Sequence, residues 1–315
     1  MRKALVTGGA GFIGSHIVRA LLSDGWGVRV LDNFSTGKPE NLAEIRSPRL
    51  EVLEGDIRSP ETVAEAVRGV DVIFHEAAFV SVPASMEEPL TCHEVNDRGT
   101  ALLLEAARRA GVQKAVIASS AAVYGDSTDF PLSEDLPPRP LSPYAATKAA
   151  TEIYARLYTA AFGLPVVALR YFNVYGPRQR PDSPYAAAIP IFTRRMLNGE
   201  PPIVFGDGGQ RRDFIFVGDV ARANLLAAQS SAADGEVLNI CTGREVSLLE
   251  LIAALKQSIP DAPSPQFAPP RPGDIYRSVG DPSKATALLG FRAQTPLEEG
   301  LAAVVDWMRS AMEAR

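Results

Sequence analysis

Cysteine and histidine are scarce in this chain of 315 residues, which has two cysteines and three histidines. Cys92 and Cys241 lie far apart and have no metal-binding spacing, which indicates unpaired thiols in a cytoplasmic protein. The histidines do not form a metal cluster; they are His16, His75 and His93. We therefore predict no metal site and no structural disulfide.

Long apolar runs and an excess of positive charge are also missing. No stretch approaches the roughly 18 apolar residues of a membrane span. The first residues lack the apolar region and cleavage site of a signal peptide. The net charge is −5 at pH 7, whereas a general nucleic-acid binder normally carries a basic face. These absences predict a protein with neither a membrane nor a nucleic-acid partner.

Short apolar runs alternate with helical patterns through the first half of the chain. This alternation predicts an α/β fold with a doubly wound parallel sheet, covered by helices on both faces. The predicted strands are 4–6, 28–31, 50–53, 70–74, 115–118 and 166–169, and the predicted helices are 12–22, 60–67 and 99–110.

The pattern changes after about residue 175, where segments become shorter and prolines cluster. We expect residues 1–175 to form a dinucleotide-binding domain to which segments around 214–242 return. Residues 176–315 are expected to form mainly a smaller α/β region for substrate. Its predicted helices are 221–228, 248–258 and 297–311, and the proline-rich stretches 137–140 and 260–272 are expected to be long loops.

A glycine-rich turn follows the first predicted strand and opens the first predicted helix. Residues 7–14 read TGGAGFIG, in which Gly8, Gly11 and Gly14 allow a tight turn and a close approach to a pyrophosphate. Asp32 ends the second strand, where a carboxylate accepts hydrogen bonds from an adenosine ribose and repels a 2′-phosphate. This pattern predicts NAD as cofactor. Asp56 ends the third strand, where it either flanks the adenine or closes a turn.

Tyr144 and Lys148 are the candidate catalytic pair. They are four residues apart and share a face if the segment is helical, so the lysine ammonium is expected to lower the tyrosine pKa toward that of a general base. Ser120 ends the fifth strand, at the edge of the sheet where open α/β folds bind ligands. Its hydroxyl either contacts the reacting group or satisfies nearby backbone.

Several blocks of sequence resemble the UDP-galactose 4-epimerase group of the extended short-chain dehydrogenase/reductase family, which has a Rossmann fold. Besides TGGAGFIG, they are SSAAVYG at 119–125, SPYAATK at 142–148, RYFNVYGP at 170–177, GDGGQRRDF at 206–214 and RPGD at 271–274. The resemblance runs from the first residues to about Lys284, so it covers nearly the whole chain.

The resemblance implies a role for each matching residue. Tyr144 would be the base, Ser120 its partner and Lys148 the ligand of the nicotinamide ribose. The implied NAD-binding residues are Gly8, Gly11, Phe12, Ile13, Gly14, Asp32, Asn33, Ser35, Gly37, Asp56, Ile57, Ala77, Ala78, Asn96, Ser119, Tyr144, Lys148 and Tyr171. The implied substrate-binding residues are Ser120, Tyr144, Asn173, Arg180, Ala187, Ala188, Ile189, Phe205, Gln210, Arg212, Arg271, Asp274 and Ser278.

Within the substrate set, the resemblance implies a division of labour. Phe205 would stack on uracil, Arg212 and Arg271 would hold the diphosphate, and Asp274 would contact the nucleotide ribose. Two forked and permanently charged guanidinium groups also suit a diphosphate on physical grounds.

The resemblance further implies C4 epimerisation with a tightly bound NAD that is regenerated in each turnover. Related dehydratases carry an Asp-Glu pair where this chain has Ala121 and Ala122, which cannot supply the acid and base of an elimination. A nucleotide-sugar reductase and a non-catalytic NAD-binding protein are the remaining candidate functions. A homodimer is implied through a four-helix interface of the helices at 99–110 and 144–162.

The preferred sugar stays open between glucose or galactose, N-acetylglucosamine and glucuronate. Ser278 stands where the resemblance places a size gate, and a serine leaves room for an N-acetyl group. Arg180, in the run RQRPD at 178–182, resembles glucuronate epimerases, although the base rate for exposed arginines favours a solvated loop charge. Asn173 instead resembles the enzymes of neutral hexoses.

Overall fold

The computed structural model describes residues 1–181, 187–270 and 275–313. Within these ranges, seven parallel strands form one sheet. The strands are β1 (Lys3–Thr7), β2 (Gly27–Asp32), β3 (Leu50–Glu54), β4 (Val72–His75), β5 (Lys114–Ser120), β6 (Val166–Tyr171) and β11 (Val237–Ile240). They lie in the order β11-β6-β5-β4-β1-β2-β3. The predicted α/β doubly wound sheet is confirmed.

Helices cover both faces of this sheet because successive strand residues point to opposite faces. Ala4 and Val6 of β1 pack with one group of helices, whereas Leu5 packs with the other. The first face carries α1 (Phe12–Ser23), α9 (Val217–Gln229) and α11 (Ser283–Leu289), and the second carries α3 (Pro60–Ala66), α6 (Gly99–Ala110) and α7 (Pro143–Phe162).

The loops after the strands contain short helical segments. They are α2 (Glu40–Ala43), α4 (Val82–Glu87), α5 (Pro89–His93), a π-helix (Glu94–Arg98) and two 3₁₀ turns (Ala121–Tyr124 and Ser231–Ala233). None of the described helices is long and apolar enough to cross a membrane.

Most of the chain beyond β6 builds a smaller α/β layer with its own apolar core, whereas α9, β11 and α11 belong to the main sheet and its helices. Its strands pair in short sets, β7 (Asn173–Tyr175) with β10 (Phe214–Phe216), β8 (Ile203–Phe205) with β13 (Gln266–Ala268), and β9 (Arg211–Arg212) with both β12 (Val246–Ser247) and β14 (Arg277–Ser278). Its helices are α8 (Ala188–Leu197), α10 (Leu248–Ser258) and α12 (Leu297–Glu313).

The expectation that 260–272 is only a loop is wrong over β13. Its three residues pair with β8 in parallel register, and so short a strand has no periodicity to reveal it among the flanking prolines.

Candidate active site

The glycine-rich turn packs so closely that side chains at its glycines would collide with backbone. Gly8 has a φ of +68°, and a Cβ there would lie 2.7 Å from the Ala77 nitrogen. A Cβ on Gly14 would lie 2.2 Å from the Gly8 carbonyl oxygen. Among the described residues, no side chain caps the start of α1 at Gly11, so the first N–H groups of the helix are left for an anion. The turn therefore fits a dinucleotide pyrophosphate.

Asp32 is held at the end of β2 by two backbone donors. Its Oδ2 accepts from the Ala10 nitrogen and its Oδ1 from the Phe34 nitrogen, each at 2.9 Å. Burial raises the pKa of Asp32, and these two donors oppose that rise. A Cβ on Gly37 would lie 2.8 Å from both carboxylate oxygens, so the glycine leaves the space beside the carboxylate open. The arrangement fits a ribose, whose hydroxyls can donate to the remaining lone pairs.

The neighbouring candidates Asn33 and Asp56 contact each other. Asn33 Nδ2 donates to Asp56 Oδ2 at 2.9 Å, and the Arg58 guanidinium donates to both Asp56 oxygens at 2.9 and 2.7 Å. The hydrogen bond from Arg58 holds the pKa of Asp56 well below its usual range. Ser35 donates its hydroxyl to Asn33 at 2.7 Å. Asp56 thus forms an ion pair with Arg58, two residues further along the chain, which agrees with the predicted role in a turn. The next candidate, Ile57, is buried.

Tyr144 and Lys148 lie on the first turns of α7. Ser142 begins this helix by accepting from the Ala145 nitrogen at 3.2 Å, and proline occupies the next position. The Ser85 hydroxyl oxygen accepts from the Tyr144 nitrogen at 3.2 Å and so anchors the same turn to α4. Lys148 Nζ donates to the Ala118 carbonyl of β5 at 2.7 Å and lies 6.0 Å from the centre of the Tyr144 ring. The helical spacing predicted for the pair is present.

Burial dominates the titration of both groups. It raises the pKa of Tyr144, while the Ser120 hydroxyl lowers it and the charges of Cys92 and Glu76 raise it further. The expected net lowering of the tyrosine pKa is wrong for this structure, because burial raises the pKa more than the Ser120 hydroxyl lowers it. Burial also lowers the pKa of Lys148, against the charge of Glu76.

Two predicted cofactor residues, Asn96 and Ser119, use their side chains within the protein. Asn96 exchanges hydrogen bonds with the backbone of Phe79 at 2.6 and 3.0 Å and donates to Thr147 at 3.0 Å, so it joins the π-helix to α7. Ser119 donates to Glu152 at 2.6 Å. Both residues therefore support the backbone around Tyr144 and Lys148.

Sequence reasoning missed two acidic groups beside this site, the buried Glu152 and the half-buried Glu76. Glu152 on α7 makes two hydrogen bonds with Arg170 on β6, at 2.7 and 2.8 Å, and both are almost fully buried. Glu76, next to the predicted Ala77 and Ala78, accepts a hydrogen bond from Tyr171 at 2.7 Å. An acidic residue directly after the apolar strand β4 was the available signal for Glu76.

The substrate candidates lie mostly on the short strands beyond β6. Asn173 Nδ2 donates to the Asp213 carbonyl at 3.2 Å, and Ser278 pairs in register with Arg212. Gln210 donates to the carbonyl of Phe205. Ala187 and Ala188 begin α8, where Ile189 is buried. Arg271 and Asp274 lie outside the described residues.

Arg180 is exposed and lies on the cofactor side of the site. Its Nη1 is 3.5 Å from the carbonyl of Thr36, in the loop after β2. The contact joins the segment after β7 to the loop beside Asp32. This position agrees with the interpretation of Arg180 as an exposed loop arginine, here beside the predicted NAD-binding residues of the loop after β2.

Several of the known proteins that this chain is similar to are named as epimerases. The model of the NAD dependent epimerase/dehydratase family matches residues 4–241. The chain is 42% identical over 311 residues to a UDP-glucose 4-epimerase of Mycolicibacterium smegmatis, covering 98% of this chain and 99% of that one.

Two solved structures superpose closely on this fold. One is a UDP-N-acetylglucosamine 4-epimerase of Methanobrevibacter ruminantium in complex with UDP-N-acetylmuramic acid, with a TM-score of 0.95, 39% identity and 99% coverage of both chains. The other is a Thermus thermophilus UDP-glucose 4-epimerase in complex with NAD, with a TM-score of 0.89, 43% identity, and coverage of 98% of this chain and 99% of that chain.

Proposed function

Because the chain belongs to the NAD dependent epimerase/dehydratase family, we propose that it is an NAD-dependent 4-epimerase of UDP-sugars. UDP-glucose and UDP-galactose are the first candidates, since a relative at 42% identity is named a UDP-glucose 4-epimerase. The observation that carries the proposal is the position of Tyr144 and Lys148. They lie at the carboxyl edge of the sheet, where the glycine turn and Asp32 also lie.

In this proposal, Tyr144 takes the proton of the sugar 4-hydroxyl and Ser120 holds that hydroxyl by a hydrogen bond. NAD, when bound, supplies the acceptor and donor of hydride. Lys148 binds the nicotinamide ribose and contributes positive charge beside the phenolate. The sugar is oxidised at C4, turned over and reduced on its opposite face, so each turnover restores the cofactor. General-base assistance of this kind is worth roughly 10²–10⁴ in rate.

The residues after Ser120 favour epimerisation over dehydration. Ala121 and Ala122 form the 3₁₀ turn that follows β5, and the Ala122 nitrogen donates to Ser120 at 3.1 Å. Neither methyl side chain can move a proton, which an elimination across C5–C6 requires. A reductase would depend on added NADH, and a non-catalytic binding protein would have no use for the Tyr144–Lys148 pair.

In this proposal, Ser278 and Arg180 of the predicted substrate set select the sugar. Ser278 is small and half-buried beside Arg212, which makes an N-acetyl sugar the second candidate, in keeping with the Methanobrevibacter ruminantium structure. Glucuronate is the third candidate because of Arg180. The contact of Arg180 with the loop after β2 supports it less than Ser278 supports the N-acetyl sugar.

The direct test is to incubate the purified protein, without added NAD, separately with UDP-glucose, UDP-N-acetylglucosamine and UDP-glucuronate. Proton NMR of the sugar H1 and H4 signals should show the C4 epimer in at least one tube. That result would also show that NAD is retained through purification. If all three sugars stay unchanged when NAD is then supplied, the epimerase proposal is wrong for these substrates.

We further propose a homodimer that uses α6 and α7. Leu103, Leu104 and Ala107 of α6 are fully buried inside the protomer, so they support its core and leave the contact to other residues. On α7, Ile153 and Leu157 are 66% and 43% exposed, and apolar side chains on an outer helix face are typical of a protein interface.

Replacement of Ile153 by lysine should therefore shift the protein from dimer to monomer in sedimentation velocity, because a charge would be buried in the apolar contact. Leu249→Lys changes a leucine on α10 that is 41% exposed, close to the 43% of Leu157, and should leave the dimer intact. A wild-type protein that sediments as a monomer, or an Ile153→Lys protein that stays dimeric, would rule out this interface.

The site of action proposed for the enzyme is the cytoplasm. Cys92 and Cys241 are both buried and unpaired, which agrees with a reducing compartment.

A further inference from the structure

Glu76 occupies a central position at the carboxyl edge of the sheet, one residue beyond β4. Its Oε1 accepts from the Tyr171 hydroxyl at 2.7 Å, and that hydroxyl accepts from Asn224 Nδ2 of α9 at 2.8 Å. Tyr171 ends β6, and β5 lies between β6 and β4. The tyrosine side chain therefore crosses the end of β5 to hold the carboxylate.

Lys148 reaches the same point from the opposite face of the sheet. The β4–β5 pairing ends with His75 beside Ile117, so Glu76 and Ala118 are the next positions on these neighbouring strands. The Ala118 carbonyl is the group that accepts from Lys148 Nζ at 2.7 Å. Adjacent strands lie about 4.8 Å apart, so Glu76 and the Lys148 ammonium lie near each other, and their charges interact.

The other titratable groups near Lys148 are either paired with another charge or neutral. The negative charge of Glu152 is balanced by Arg170, which donates two hydrogen bonds to it. Burial raises the pKa of the Cys92 thiol, so it is uncharged at neutral pH. His75 lies between Thr7 and Thr100, at 2.7 and 2.9 Å, and its pKa is lowered to about 3, so it is neutral. Burial raises the pKa of Glu76 to about 7, against the hydrogen bond from Tyr171 and the charge of Lys148. Among the described residues, Glu76 is therefore the anion that can balance Lys148 above that pH.

We propose that Glu76 is a positioning residue of the active site, whose carboxylate is the counter-charge that keeps Lys148 as an ammonium beside Ala118 and Tyr144. The inference rests on the proposed function for its consequence in catalysis. The nearness of the two charges rests on the strand register and on the hydrogen bonds of Glu76 with Tyr171 and of Lys148 with Ala118. Tyr171 and Asn224 hold the carboxylate in place.

The sign of the effect follows from the two pKa shifts. The charge of Glu76 raises the pKa of Lys148 and also that of Tyr144. Removing this charge should therefore lower both pKa values. If the enzyme needs a tyrosine phenolate and a lysine ammonium, both limbs of its pH profile for kcat/KM should move to lower pH in Glu76→Gln, which keeps an oxygen to accept from Tyr171.

The pairing can be measured without turnover, because the chain has only six lysines. Carbon-13 labelling at the lysine Cε gives few NMR signals, and that of Lys148 is identified by its loss in Lys148→Arg. In Glu76→Gln, with or without NAD supplied, the titration midpoint of Lys148 should fall by about one pH unit or more. An unchanged midpoint in the folded variant would overturn the proposal.

Two further variants test the hydrogen bond to Glu76 and provide a control carboxylate. Tyr171→Phe removes the donor but leaves the carboxylate, so Glu76 should protonate at higher pH and the Lys148 midpoint should fall by a smaller amount. Glu54→Gln removes an exposed carboxylate from the end of the edge strand β3 and should leave the midpoint unchanged. A protein that shows these shifts but forms no C4 epimer would contradict the proposed function and leave the charge pair standing.

Discussion

Tyr144→Phe should lower kcat for C4 epimerisation by roughly a thousandfold, within the range that a positioned general base contributes. The substitution removes a single oxygen from the first turns of α7. Lys148 keeps its hydrogen bond to the Ala118 carbonyl, and the glycine turn and Asp32 are untouched. The variant should consequently retain NAD, measured by releasing the nucleotide from the denatured protein, while the NMR assay shows almost no product.

The matched control is Tyr154→Phe, which removes a tyrosine hydroxyl from the same helix away from the catalytic turn. It should epimerise at close to the wild-type rate. If Tyr144→Phe were as active as this control, the base would have to be another group, and the role assigned to Tyr144 would be wrong.

Glu152→Ala should destabilise the protein by about 3–5 kcal/mol, because it leaves the guanidinium of Arg170 buried without its carboxylate. Arg170 is 1% exposed, and within the described part of the chain its Nη1 has no hydrogen-bond partner even with Glu152 present. Its guanidinium stacks on Tyr124 at 4.6 Å, which does not replace a counter-charge. The calorimetric unfolding midpoint should fall by several degrees.

A double variant separates the cost of an unpaired charge from the value of the pair. Glu152→Leu combined with Arg170→Met should recover most of the lost midpoint, since apolar side chains of similar size often replace a buried ion pair at little cost. Glu105→Ala removes the partner of Arg108 in an exposed pair on α6 and should change the midpoint little. A Glu152→Ala protein as stable as Glu105→Ala would show that the buried pair is not needed for stability.

The parts of the fold with strong periodicity were predictable from the sequence. Strands such as β1 are apolar on both sides because helices cover both faces of the sheet, and parallel sheets carry this signature. The bounds of α6 and α10 agree with prediction because each helix contains enough turns to repeat its apolar positions. The short strands β9 and β14 have two residues each, which is too few for any pattern.

The candidate site was predictable where its residues belong to a short motif of the sequence. The Tyr144–Lys148 spacing and the glycine turn are local, so their geometry follows from a helix and a turn. Glu76 and Tyr171 are 95 positions apart in the chain, and only the strand order brings them together. The direction of the Tyr144 pKa shift also failed, because it depends on burial, and burial is a property of the whole fold.

The central claim is that hydride leaves C4 of the sugar for a retained NAD and is returned to C4 on the opposite face. UDP-glucose with deuterium at C4 tests it most directly, in ordinary water and with no free NAD added. The UDP-galactose formed should carry the deuterium at C4, as read by mass spectrometry and by loss of the H4 signal. Product with ordinary hydrogen at C4 would contradict the account, because it would mean that the label had exchanged with solvent and had not been returned by a retained cofactor.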